Sequence, residues 1–167
     1  KWSTLIDIES EFTGITTIGY ADENQSELDK LEDEVWLAED HELPFIEQRV
    51  TRQIQLHPRS AQAHYLMALV LKRSFAADPG ELLYLRQASQ TAQQAVDLDP
   101  QSDYGYVAMA DVLDLMGNGD KGLALLSDAE TSGIPPSWRF YFSRARLIAD
   151  RSNTKKVLGL LETALAF

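Results

Sequence analysis

Cysteine is absent from all 167 residues, which removes disulfides, thiolate nucleophiles and thiolate metal sites without choosing a compartment. No apolar run is long enough to span a bilayer as a helix, so no membrane insertion is expected. Histidine is scarce. His41 and Glu42 are followed by Leu43, Pro44 and Phe45, so no HExxH zinc pattern forms. His57 precedes Pro58 as a turn residue, and His64 opens a helix on its packing side; no metal set is expected from them. No G-x-S-x-G occurs, and the GNGD at residues 117–120 lacks the lysine and hydroxyl pattern of a phosphate loop. Asp97, Asp99 and Asp103 lack the alternation of a calcium loop and are read as caps between helices. The expectation is a chain with no catalytic residues, no cofactor and no metal, and so not an enzyme.

Basic charge is missing from one end. Residues 1–42 hold 13 acidic side chains against Lys1 and Lys30, whereas residues 43–167 hold 13 acidic and 13 basic ones. The whole net charge of −11 therefore sits in the first quarter. No basic face is left over to neutralise phosphates, which argues against nucleic acid. An acidic helix can serve solubility alone; the functional reading is an acidic arm that meets a basic partner or folds back onto Arg139, Arg144 and Arg146.

What the chain does have is a beat of small residues. Ala88 and Ala95, Gly122 and Ala129, and Val157 and Ala164 are each seven apart, and Ala95, Ala129 and Ala164 recur after 34 and 35 residues. Ala68, Ala110 and Ala145 precede these pairs by 20, 12 and 12 residues, and Pro58 and Pro100 are 42 apart, so one unit is eight residues longer. The surplus is read as an expanded turn, SFAADPGEL. Small residues let two helices approach closely, and a proline past the second helix stops it.

The units run from Ala61 to Pro100, from Asp103 to Pro135 with a turn at Gly117, Asn118 and Gly119, and from Trp138 to Phe167 with a turn at Ser152 and Asn153. Ahead of them, PFIEQRVTRQIQLHP carries Ile46, Val50 and Ile54 at helical spacing, and SELDKLEDEVWLAED is its partner, with Leu28, Leu31, Val35 and Ala38 on one face. This pattern resembles the tetratricopeptide repeat family. The resemblance implies an all-α, right-handed superhelical solenoid of antiparallel helix pairs over residues 26–167: a degenerate unit at 26–58, then 61–100, 103–135 and 138–167. Residues 1–25 are expected to form an irregular acidic arm packed on the solenoid, with a short helix bearing Trp2, Leu5, Ile6, Ile8 and Phe12 before the extended TGITTIGY.

Such a solenoid binds a peptide or protein segment in its concave groove, so the resemblance implies a non-catalytic protein-binding scaffold within a larger assembly. First-helix residues off the small-residue seam are the groove candidates: Gln62, Tyr65, Leu69, Lys72 and Arg73; Tyr104, Val107, Asp111 and Asp114; Arg139, Phe142, Arg146 and Asp150. The chaperone-tail subclass uses lysine, asparagine and arginine on this face; Tyr65, Leu69, Val107 and Asp111 do not reproduce that clamp. A second likeness is to the periplasmic repeat proteins of cytochrome c maturation: Leu43 and Pro44 lead into the ending Leu56-His57-Pro58, with His64 where a tryptophan is usual. That likeness implies an apocytochrome-binding chaperone component in the bacterial periplasm. The start at Lys1 fits processing, and the compartment stays open. The ending LLETALAF has no polar cap, so the chain is expected to continue, to regulate a missing portion, or to cover Leu160, Leu161, Leu165 and Phe167 by forming a homo-oligomer.

Overall fold

A computed structural model of the chain describes residues 26–149 and 154–167. Among these residues the protein is all-helical, and every strand is absent. The helices are α1 (Glu27–Leu37), α2 (Leu43–Leu56), α3 (Ala61–Ala77), α4 (Leu82–Leu98), α5 (Tyr104–Leu115), α6 (Gly119–Thr131), α7 (Trp138–Ile148) and α8 (Thr154–Leu165), with a 3-10 turn at Asp40–Glu42. The N-terminal arm, the turn at Ser152 and Asn153, and Asp150 lie outside the described residues.

Local chemistry sets the helix ends. Ser26 caps α1 in a reciprocal box with Asp29, and the hydroxyls of Ser60 and Ser137 accept from Ala63 N and Arg139 N. Gly117 and Gly133 end α5 and α6 at φ of 74° and 86°, a left-handed backbone that favours glycine. The Asp103 carboxylate accepts from Ser137 N at 2.7 Å, so an acidic residue at the start of one hairpin fixes the entry of the next. His57 is the exposed C-cap of α2, and the buried ring of His64 meets the Ser60 carbonyl at 2.9 Å.

Each helix packs against the one before it: α4 on α3, α6 on α5, α8 on α7. The first helices also stack, α3 on α5 and α5 on α7. The seam is made of the small residues. Ala68, Ala88, Ala95, Ala110, Ala129, Ala145 and Ala164 are all buried. At Gly122 the helices touch backbone to backbone, since a Cβ there would stand 2.8 Å from the Ala110 carbonyl oxygen. A second close approach, at Gly105 against the Val96 backbone nitrogen, lies between α5 and α4 and has no counterpart in the seven-residue beat.

The eight surplus residues of the second hairpin do not form an expanded turn. Ser74–Ala77 continues α3, Leu82 already belongs to α4, and the connection is Asp78–Glu81. Both helices are 17 residues long, against 12 and 13 in the following pair. The insertion adds about one helical turn to each rod. Phe75, Ala76 and Ala77 have good enough helix propensity to propagate α3 until Asp78 and Pro79 end it.

At the C-terminal end, Leu161 is buried within its own hairpin rather than left for a partner to cover, because it falls one turn after Val157 on the face that meets α7. Leu165 and Phe167 are exposed, with the Phe167 ring 5.8 Å from that of Tyr141.

Candidate functional site

The acidic helix α1 carries three stripes, each with its own surroundings. Leu28, Leu31 and Val35 join the main core, with Leu31 and Val35 wholly inaccessible to solvent. Glu27 and Glu34, two turns apart, both pair with Arg49 of α2. The third stripe, Asp29, Glu32 and Trp36, points at the wall formed by the first helices α3 and α7. Residues i, i+3 and i+7 share a helix face, which is why one short segment can address the wall with two carboxylates and an indole.

Each of the three is held by side chains from the sequence-derived groove set. Asp29 accepts from Gln62 Nε2 at 2.7 Å. The Glu32 carboxylate takes Nε and one terminal nitrogen of Arg139 and, at 3.1 Å, the Tyr65 hydroxyl. The Trp36 indole lies edge-on to Phe142 with ring centres 5.6 Å apart, 6.5 Å from Trp138, and 5.3 Å from Lys72 Nζ. Arg73 reaches the end of α1 and donates to the carbonyls of Val35 and Ala38, capping the negative end of its dipole. The Arg139 guanidinium also stacks on Tyr104 and Trp138, at 5.0 and 4.8 Å from the ring centres.

Beneath Trp36 sits a charged hub. Asp111 of α5, buried, accepts from Lys72 Nζ at 2.9 Å and from the Ser143 hydroxyl at 2.5 Å, and pairs with Arg146 at 2.6 Å. One carboxylate thus ties α3, α5 and α7 together. Burial works to raise its pKa, but Arg146, Lys72 and the Ser143 donor outweigh burial and hold it well below the usual carboxylate range. At Glu32 the balance differs: burial pushes the acid upward, against the opposing pull of Arg139 and the Tyr65 donor. Arg139 stays protonated, because its hydrogen bonds to Glu32 more than offset its own burial. Burial, with the Glu32 charge beside it, pushes the Tyr65 hydroxyl well up. It therefore remains a donor.

The twelve groove candidates within the described residues divide by environment. Gln62, Tyr65, Lys72, Arg73, Arg139 and Phe142 meet α1 directly, and Tyr104 meets it through Arg139. Asp111 and Arg146 form the hub. Leu69 and Val107 belong to the hydrophobic core, and Asp114 is half-buried near the end of α5. Of the three arginines named for the acidic arm, only Arg139 receives an α1 carboxylate. Arg144 pairs with Glu130 at 2.7 Å and Arg146 with Asp111.

The partners on α1 were the part the sequence concealed. Glu32, Asp33 and Glu34 are consecutive, and nothing in their spelling says that the first alone is buried. The signal that could have found it is Trp36, an aromatic four residues on and off the Leu28, Leu31, Val35 face. Ser143, inside the hub, has no sequence signature at all. No described helix is long and apolar enough to cross a membrane. No protein-family model matches the chain, and no curated protein does.

Proposed function

We propose that this chain is a non-catalytic scaffold that recognises a protein segment on the concave side of a tetratricopeptide-like superhelix, as one component of a larger assembly. The observation that supports this reading is the convergence of Lys72, Arg73 and Arg139 with Tyr65, Tyr104 and Phe142 on one side of α3, α5 and α7. Arginine and tyrosine combine large contact area with directional donors and are common interface anchors. Here they already grip a helix drawn from a distant part of the chain, through side chains and backbone carbonyls alike. That is peptide recognition carried out internally.

Site-specific photocrosslinking tests it. A photoreactive residue at Asp114, a half-buried groove candidate near the end of α5, is expected to capture a foreign protein from an extract of the source cells, whereas one at Gln93, on the exposed side of α4, is not. Capture only from Gln93 would reject the assignment.

A further inference from the structure

The geometry points to α1 as the resident occupant of a helix-binding wall, whose outside partner is an acidic amphipathic helix with a carboxylate followed four residues later by an aromatic ring. This rests on the scaffold reading and names the partner class.

Every contact between wall and α1 is one that a helix from another protein can reproduce. Arg139 and Tyr65 recognise a carboxylate; Lys72, Phe142 and Trp138 recognise an aromatic ring; Gln62 donates to a second carboxylate one turn earlier. Arg73 binds backbone carbonyls at the helix end, which any helix terminating there presents. Among the described residues no backbone-to-backbone hydrogen bond joins α1 to another helix. One short connection, residues 38–42, ties it to α2, and Glu39, Asp40 and Glu42 in it are exposed. Beneath the occupant the Asp111 carboxylate ties α3, α5 and α7 together through Lys72, Ser143 and Arg146, and Lys72 in turn lies over the Trp36 ring.

Charge selects the ligand. Lys72 and Arg146 are neutralised within residues 43–167 by Asp111, whereas Arg139 takes its carboxylate from the strongly acidic occupant, so Arg139 is the cation that selects an acid brought from outside that segment. Tethering gates access. A covalently linked occupant acts at an effective concentration of about millimolar, so an outside helix of equal affinity competes at a disadvantage until it is concentrated beside the wall.

The test is exchange in the full-length protein carrying a protease site within the exposed 39–42 turn. After cleavage the protein is titrated with a fluorescent peptide of residues 26–38 and binding is read by anisotropy. Two competitors follow: an unrelated helix that keeps Leu, Leu and Val at the places of Leu28, Leu31 and Val35 and Asp, Glu and Trp at the places of Asp29, Glu32 and Trp36, and the same helix with alanine at the latter three. The expected result is uptake by the cleaved protein at least about tenfold tighter than by the uncut one, with displacement by the anchored helix alone. Unfolding on cleavage, absence of exchange, equal binding by cut and uncut protein, or equal competition by the anchorless helix would each overturn the proposal. Inner-side crosslinking to a foreign protein with no exchange would leave the scaffold reading intact and remove this one.

Discussion

Arg139 forks two nitrogens onto the carboxylate of Glu32, a residue 107 positions earlier in the chain. That single contact joins the first described helix to the last hairpin. It lies over Tyr65, whose hydroxyl completes the shell around the acid. Replacing Glu32 with alanine would leave Arg139 mostly buried without its counter-charge. The expected cost is about 3–5 kcal/mol, the range for breaking a buried pair by removing one member. Glu32→Gln should cost less, since burial already disfavours the ionised acid and the amide keeps shape and an acceptor. Urea melts of the two variants check the order; equal losses would mean that charge plays no part here.

Glycines on the seam and off it should respond oppositely to alanine. A Cβ at Gly122 would press on the Ala110 carbonyl at 2.8 Å, and backbone cannot swing aside, so Gly122→Ala is expected to lose about 1–3 kcal/mol. At Gly159, in α8, nothing lies within 4 Å, and Gly159→Ala should gain about 0.5–1 kcal/mol through helix propensity. Thermal melts of both variants measure the contrast.

Acid should act through Asp111. Its carboxyl is held below the ordinary range when folded and titrates normally when unfolded, so on acidification the unfolded chain takes up that proton first. The stabilisation is complete above about pH 4 and drains away below it. Asp111→Asn leaves Lys72 and Arg146 facing a neutral amide and should cost about 3–5 kcal/mol at neutral pH. It should also flatten the dependence of the urea midpoint on pH below 4, relative to the unmodified chain. A slope in that window unchanged by the substitution would show that other carboxylates dominate it.

Between hairpins, Asp103→Ala removes the acceptor for Ser137 N and is expected to cost about 1–2 kcal/mol. Hydrogen exchange should quicken first at the start of α7, because that is where the orphaned donor lies.

The amino-acid order alone determined the helices, their hairpin rhythm and the seam. Ala68, Ala110, Ala145 and Gly122 sit where rods touch because only small side chains allow that approach, and spacing along a chain displays such a constraint directly. Proline and glycine at the helix ends were equally legible, being local effects of a few residues. Tertiary structure decided what the groove candidates do. Whether Arg139 faces solvent or Glu32 depends on how far α1 reaches across α3 toward α7, and nothing in the spelling separates the fully buried Glu32 from its half-buried acidic neighbours Asp33 and Glu34. Likewise the eight-residue surplus could enter a loop or two rods with equal spelling, and helix propagation against a packed neighbour, a cooperative gain, put most of it in the rods.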